Sequence, residues 1–241
     1  MRRFVLIAIL FGFALHFART CMPQPSGGSD QNTPDALKAA YDQARNAKDW
    51  PSAVAAAQKL VDRSATAENL LMLADVQVSS NASADALATT DRALDAAEKE
   101  KPAEGQPDTA WKDLKSKIYL DRGNAYLKLR RNADAIDAYN QSAAIAPNPS
   151  VSLFNICATY SNSGDTQNAE PACRKTVQTD PNRADAWFVL GTLLFGEAKM
   201  DEKGNFAITD ECREALKKYL ALAPDGPHAA DVKAMLAMAP Q

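Results

Sequence analysis

The sequence has few of the residues on which catalysis usually depends. Only two histidines occur in 241 residues, and one of them, His16, lies in an apolar N-terminal segment. Four cysteines are present, but they form no CxxC pair and no group with the spacing of zinc ligands. No glycine-rich phosphate loop and no serine, histidine and aspartate arrangement is evident. We therefore expect no enzyme, no cofactor and no bound metal.

Aromatic residues and strand-forming runs are also scarce. Aromatic residues make up 7% of the chain, and no long alternation of valine, isoleucine or threonine appears. Alanine instead supplies much of the 46% apolar content, in strings such as residues 53–57. Because alanine favours helices and lets them approach closely, the composition predicts an all-α fold.

The chain lacks an excess of positive charge. It carries 27 basic and 30 acidic residues, a net charge of −3, and no basic patch stands out. Proteins that bind nucleic acid or anionic membranes by electrostatic attraction carry such patches. We therefore expect no nucleic acid among the partners, and membrane contact only through the N-terminal segment if that segment is retained.

The first 34 residues differ from the rest of the chain. Arg2 and Arg3 precede an apolar run from Phe4 to Leu15, which is typical of a secretory signal and short for a membrane span. We predict that residues 1–20 are a signal peptide, with an uncleaved N-terminal anchor as the alternative. Residues 21–34 are rich in proline, glycine and serine and are predicted to be a flexible tether. The rest is expected to be extracytoplasmic, either periplasmic or secreted.

A 34-residue repeat organises the remainder of the chain. Residues 119–147 align with residues 153–181, and Trp187 and Gly191 begin a third copy at the same phase. The aligned positions are Tyr119 with Leu153, Gly123 with Cys157, Tyr126 with Tyr160, Ala135 with Ala169, Tyr139 with Cys173, and Pro147 with Pro181. This order of large, small and proline residues resembles the tetratricopeptide-repeat family.

The resemblance implies a right-handed superhelix of antiparallel helix hairpins, closed by a C-terminal capping helix. We assign two degenerate repeats to residues 35–98, a loop to residues 99–110, and three repeats plus the capping helix to residues 111–238. A helical bundle without superhelical order is the alternative for the first two repeats. The last repeat has an insertion near residues 196–211, which is either a small hairpin or an irregular loop.

Turn residues mark the expected connections. Proline lacks a donor, so Pro147 and Pro181 are predicted to end the second helices of two repeats. Clusters of aspartate, asparagine, glycine and proline predict turns at residues 49–52, 132–134, 164–166, 201–205 and 225–227. The last of these turns leads into the expected capping helix, His228 to Met238.

In the repeat register, two cysteines face each other. Cys157 lies at the small position of one helix, and Cys173 lies on its partner helix in the same repeat. Closely packed helices bring such side chains within bridging range, and export would allow oxidation. We predict a disulfide, with two buried thiols as the alternative. Cys212 is predicted to be a free core thiol, and Cys21 to lie at the cleavage point or in the tether.

The resemblance also implies a concave groove lined by the first helix of each repeat, where a peptide or protein partner binds. The family's lysine and asparagine clamp for a C-terminal carboxylate is not expected, because Leu120 replaces the lysine and Asp185 and Val189 replace basic residues. An apolar peptide or amphipathic helix suits the groove better. The alternative is that the aromatic rings pack between repeats. The groove positions here are Leu120, Asn124, Leu127, Phe154, Asn155, Phe188 and Thr192.

These observations predict a non-catalytic protein-interaction scaffold of the cell envelope. Residues 219–236 resemble the ends of tetratricopeptide-repeat proteins from the bacterial envelope. Two alternatives remain: a thiol–disulfide redox function that uses Cys157 and Cys173, and a purely structural subunit of an envelope complex. No oligomeric state is predicted.

Overall fold

The structure is a computed structural model that describes residues 32–200, 202 and 206–239. The predicted signal peptide or anchor, Cys21, most of the tether and most of the 201–205 turn lie outside the described residues. The described part is helical, as predicted, apart from turns and one pair of short strands. Its elements are α1 Pro34–Asn46, α2 Trp50–Arg63, α3 Ala67–Ser79, α4 Ser83–Lys99, α5 Thr109–Lys128, α6 Asn132–Ile145, α7 Ser150–Asn162, α8 Thr166–Thr179, α9 Ala184–Gly196, β1 Lys199–Met200, β2 Phe206–Ala207, α10 Asp210–Leu222 and α11 Ala229–Met238.

Local side-chain caps define where several helices begin. In each case an aspartate or threonine oxygen accepts a hydrogen bond from the backbone N–H three residues later. This bond satisfies one of the donors that a helix start leaves unpaired. The capping residues are Thr33, Asp49, Thr66, Asp165 and Thr209.

Two predicted turns were placed too late in the chain. The chain turns at residues 47–49 and 129–131, so that Trp50 already begins α2 and Asn132 already begins α6. Of the residues predicted at 49–52 and 132–134, only Asp49 lies outside a helix. The reason is that proline and acidic residues are as favourable in the first turn of a helix as in a loop.

The helices pack as successive pairs. The most extensive contacts join α1 with α2, α3 with α4, α5 with α6, α7 with α8, and α9 with α10. The first helices of neighbouring pairs also touch, because α3 contacts α5 and α7 contacts α9. Side chains of α5 and α7 share one apolar cluster that includes Leu120 and Ile156. The odd-numbered helices α1 to α9 therefore form one layer, here called the inner face.

A glycine sets the spacing of the third pair. Tyr139 of α6 is fully buried, and its ring lies directly against Gly123 of α5. A Cβ atom at Gly123 would be 2.4 Å from the Cε1 atom of Tyr139, which is far inside van der Waals contact. Glycine is therefore needed at this repeat position, because any side chain there would displace the Tyr139 ring.

The insertion in the fifth pair is a small hairpin rather than an irregular loop. Lys199 pairs with Ala207 and Met200 pairs with Phe206 in an antiparallel ladder. The ring of Phe206 lies 5.2 Å from that of Phe195 in α9, measured between centroids. This contact anchors the hairpin to the helix from which it emerges.

Candidate protein-binding surface

The structure places the predicted groove residues of α5 in three different environments. Leu120 is half-buried and lines a cavity on the inner face. Asn124 is also half-buried, and its Oδ1 accepts a hydrogen bond of 2.8 Å from the hydroxyl of Tyr139. Leu127 is 37% exposed. The side-chain carbonyl of Asn124 is therefore hydrogen-bonded to a neighbouring helix, whereas the Leu127 side chain is exposed.

The groove residues of α7 are Phe154 and Asn155, and both are half-buried. The guanidinium carbon of Arg183 lies 5.3 Å from the centre of the Phe154 ring, a cation–π distance. Within the described part of the chain, no hydrogen bond engages the Asn155 side-chain amide. An amide both donates and accepts, so Asn155 offers a partner two kinds of hydrogen bond.

The groove residues of α9 are partly covered by the end of the chain. The ring of Phe188 stacks on the ring of His228, with 3.8 Å between centroids and 4° between planes. The backbone N–H of His228 donates a 3.0 Å hydrogen bond to the Tyr219 hydroxyl, which fixes this segment. Thr192 is half-buried, and its hydroxyl donates to the Val189 carbonyl at 2.9 Å. The start of α11 thus covers the ring that was predicted to line the groove.

A cavity of about 320 Å³ opens on the inner face between α1, α3 and α5. Sequence reasoning did not identify it, apart from Leu120. Its walls combine apolar side chains with four charged ones. The lining residues are Tyr41, Arg45, Leu71, Met72, Asp75, Lys117, Leu120 and Asp121.

Hydrogen bonds tie two sides of this cavity together. The Oδ2 atom of Asp75 accepts from Arg45 Nε at 2.6 Å and from the Tyr41 hydroxyl at 3.1 Å. Burial, followed by the charge of Asp75, raises the pKa of Tyr41. The ion pair with Asp75 raises the pKa of Arg45. At the opposite side, Lys117 Nζ lies 2.6 Å from Asp113 Oδ2.

Asp121 differs from the other charged residues of the cavity. Within the described residues, no lysine or arginine nitrogen lies within ion-pair distance of its carboxylate. Burial, and next the charge of Asp75, raise the pKa of Asp121 to about 7, while a hydrogen bond from Asn124 opposes that shift. The cavity therefore holds a carboxylate without a positively charged partner of its own.

The sequence does contain a signal for this cavity. Tyr41 and Asp75 are 34 residues apart, which is one full repeat, and Arg45 precedes Asp75 by 30 residues. Such spacing places side chains of neighbouring first helices beside each other. The signal is usable only once the register of the two weak N-terminal repeats is known.

The predicted disulfide is present in the fourth pair. Cys157 and Cys173 are bonded, with 4.8 Å between their Cα atoms, and both residues are fully buried. Cys212 is a buried free thiol, as predicted, and its Sγ contacts the Gly191 carbonyl at 3.6 Å. Burial raises the pKa of Cys212 to about 11, so this thiol stays protonated near neutral pH.

Among residues 32–200, 202 and 206–239, no three histidine, cysteine or acidic side chains are grouped as ligands of a metal ion. In the same part of the chain, no helix has the length and apolar character needed to cross a membrane.

The sequence profile described as tetratricopeptide repeat matches residues 116–149. This segment runs from α5 through α6 and contains the closely packed Gly123 and Tyr139. This segment is therefore a tetratricopeptide repeat (TPR).

Solved TPR structures share the fold of this chain. PilW, a widely conserved type IV pilus biogenesis factor, is similar with a TM-score of 0.65 and 15% identity, over 85% of this chain and 84% of PilW. MamA is similar with a TM-score of 0.56 and 19% identity, over 83% of this chain and 95% of MamA. YrrB, a TPR protein with an unusual peptide-binding site, is similar with a TM-score of 0.54 and 16% identity, over 85% of this chain and 94% of YrrB. These likenesses establish the TPR superhelical fold.

A sequence relative matches part of the chain. The heat-shock protein cognate co-chaperone sgt12 of Aspergillus fumigatus is 32% identical over 129 residues, which is 51% of this chain. The match spans 36% of the length of sgt12. The likeness thus concerns a portion of each protein.

Proposed function

We propose that this TPR protein is a non-catalytic scaffold that binds a peptide or protein partner along its inner face. The observation that carries the proposal is the half-buried amide of Asn155, which forms no hydrogen bond with the described residues and follows Phe154 on α7. An apolar surface with an unpaired amide suits a peptide, because the amide pairs with the peptide backbone while the ring contacts a side chain. The peptide-binding site of YrrB, on a similar fold, supports the same reading.

The proposed binding surface is narrower than the predicted groove. Leu120, Leu127, Phe154 and Asn155 belong to it, because each is at least partly accessible on the inner face. Asn124 contributes by holding neighbouring side chains, since its carbonyl is bonded to Tyr139. Phe188 and Thr192 lie at the end of the surface, where the α11 segment closes it. We therefore place the main contacts on α5 and α7.

We propose a location in the cell envelope, outside the cytoplasm. The apolar N-terminal segment and the Cys157–Cys173 disulfide support this location, because disulfides persist mainly in oxidising compartments. To test it, protein from its native cells is denatured without reduction and alkylated. Labelling of Cys212 with no labelling of Cys157 or Cys173 is expected. Two labelled thiols at the latter positions would contradict the location.

The buried disulfide does not favour the redox alternative. Exchange requires a thiolate to attack a sulfur atom, and both bonded cysteines are fully buried. A partner thiol would reach them only after local unfolding. The disulfide is better explained as a covalent link between α7 and α8.

Site-specific photo-crosslinking in the native organism tests the binding surface. A photoreactive amino acid at Asn155 or Leu127 is expected to give adducts with one and the same partner. The control position is Gln178, which is exposed on the second helix α8. Adducts from Gln178 alone would instead favour a structural subunit that is held through its outer helices.

An affinity measurement with the partner identified in this way sharpens the assignment. Replacing Asn155→Ala removes both hydrogen bonds of the amide and is expected to weaken binding about tenfold. Gln178→Ala is the matched control and should leave the affinity unchanged. Equal affinities for the wild type and both variants would show that α7 does not take part.

A further inference from the structure

The α1–α3–α5 cavity has one charge that the fold itself does not balance. Arg45 is paired with Asp75, and Lys117 is paired with Asp113. Asp121 has no such cation among the described residues. A half-buried carboxylate without a positive partner costs stability, because desolvation disfavours its charged form.

The walls beside Asp121 are apolar. Leu71 and Met72 of α3 and Leu120 of α5 line the cavity, and all three are half-buried. The cavity volume of about 320 Å³ exceeds what a single long side chain occupies. A lysine or arginine has a matching character, because its aliphatic stem covers apolar surface while its charged end seeks a carboxylate.

Resting on the proposed function, we propose that this cavity binds a lysine or arginine side chain of the peptide partner. The ammonium or guanidinium group lies at the Asp121 carboxylate, and the stem contacts Leu71, Met72 and Leu120. A charge-assisted hydrogen bond in such a site is stronger than one between neutral groups. The Asp121 carboxylate thus selects a basic residue at one position of the partner.

The charges around the cavity leave room for this cation. The groups that face Asp121 are Tyr41 and Arg45 of α1, Asp75 of α3, Lys117 of α5 and Tyr139 of α6. The two basic groups are engaged by other carboxylates. Desolvation raises the pKa of both tyrosines, which keeps them neutral at physiological pH. Arg45 lowers the pKa of Asp121, but the opposite effect of the Asp75 charge is larger.

A pair of synthetic peptides provides the test. Each is capped at both ends and carries one central residue between leucines and alanines, either arginine or its neutral isostere citrulline. The full, oxidised chain is titrated with both labelled peptides by fluorescence anisotropy at pH 8. The arginine peptide is expected to bind about tenfold more tightly than the citrulline peptide.

Two variants assign this preference to the cavity. Asp121→Asn keeps the shape of the side chain but removes its charge, and it is expected to abolish the preference for arginine. Asp137→Asn removes an exposed carboxylate from α6 and should retain the preference. A preference that survives Asp121→Asn, or that disappears equally in both variants, would overturn the assignment to Asp121.

The pH dependence gives a readout that does not depend on any variant. Arginine and citrulline do not titrate between pH 5 and 8, so a change in preference reports the protein. The preference should be largest at pH 8 and should shrink as the pH falls through and below about 7, where Asp121 takes up a proton. A preference that stays constant from pH 8 to pH 5 would contradict the proposal.

The remaining outcomes also decide between the two proposals. If both peptides bind equally, the cavity does not select a basic side chain, and the inner face can still bind a partner. If neither peptide binds, the basic-residue proposal is likewise overturned. The binding surface itself is judged separately, by the crosslinks from Asn155 and Leu127.

Discussion

The third and fourth helix pairs have the same backbone register but use different chemistry at matching positions. Where α5 and α6 meet through Gly123 and the ring of Tyr139, α7 and α8 meet through the Cys157–Cys173 disulfide. The same alignment sets Asp121 against Asn155 and Arg130 against Gly164. One glycine–aromatic contact and one covalent bond thus serve the same packing position in two successive repeats.

This difference shows that the contact between two paired helices requires a certain filled volume between them. Different pairs of residues can supply that volume. A tyrosine needs a partner without a Cβ atom, because the ring fills the whole gap. Two cysteines fill a similar gap with two side chains of intermediate size. Variants at matching positions of the two pairs test this view, and they are ordered here from the largest expected effect on stability to the smallest.

Removing the ring from the third pair should have the largest effect. Tyr139→Ala leaves a cavity beside Gly123 and removes the hydrogen bond to Asn124. We expect a loss of about 3–5 kcal/mol in the free energy of unfolding, measured by urea denaturation. Tyr139→Phe is the control and should cost about 1 kcal/mol, because only the hydroxyl is lost. Equal losses for the two variants would mean that the ring is not what fills the gap.

Removing the disulfide from the fourth pair should have the next largest effect. The bond joins residues 16 positions apart, and its loss in Cys157→Ala/Cys173→Ala should cost about 3 kcal/mol. Dithiothreitol should destabilise the wild type and leave this variant unaffected.

The double substitution Cys157→Gly/Cys173→Tyr gives the fourth pair the residues that the third pair has at Gly123 and Tyr139. It should recover part of the lost stability and should be insensitive to dithiothreitol. A wild type whose urea midpoint does not respond to the reductant would argue against a stabilising disulfide.

The third pair has Asp121 where the fourth pair has Asn155. Replacing Asp121 by asparagine should stabilise the protein. The pKa of Asp121 is about 7 in the folded state, above its ordinary value of 3.8. The folded state therefore retains a proton between about pH 4 and 7, and stability falls as the pH rises through this window.

Asp121→Asn removes this dependence and should raise the free energy of unfolding at pH 8 by about 1–2 kcal/mol. Most of the gain should be lost near pH 4, where the wild-type carboxyl is protonated in the folded state and becomes protonated in the unfolded state as well. The measurement is a series of urea denaturation curves between pH 4 and pH 8. A gain of the same size at pH 4 would point to a cause other than the charge.

The turn between paired helices should give the smallest effect. Arg130 has a φ of 59°, and its counterpart Gly164 has a φ of 75°, a region that favours glycine. Arg130→Gly should stabilise by about 0.5 kcal/mol, and Gly164→Ala should destabilise by about 1 kcal/mol. The measurement is the midpoint temperature of thermal unfolding, which should rise for Arg130→Gly and fall for Gly164→Ala. Shifts of the midpoint in the same direction would contradict the explanation.

Much of this architecture follows from the sequence, because the 34-residue period fixes which side chains meet. The period placed Cys157 opposite Cys173 and Gly123 beside the bulky residues of its repeat. The turns at residues 47–49 and 129–131 were missed, since aspartate and proline serve both loops and helix starts. Local composition does not separate these two uses.

The candidate site was less predictable. The cavity depends on α1 and α3, whose repeats match the pattern weakly, so the contact of Arg45 with Asp75 needed the folded register. The stacking of His228 on Phe188 depends on the path of the turn before α11. Both features arise from contacts between repeats, which a pattern within each repeat does not encode.

The position of the covalent bond has a mechanical consequence. Because Cys157 and Cys173 belong to one hairpin, the bond leaves every interface between hairpins free to separate. Under tension along the chain, α7 and α8 could come apart only as a closed loop. The oxidised protein would then extend about 50 Å less than the reduced one, at about 3.5 Å for each sequestered residue. If the protein is pulled by partners as a scaffold, as proposed above, this hairpin would limit how far the chain extends.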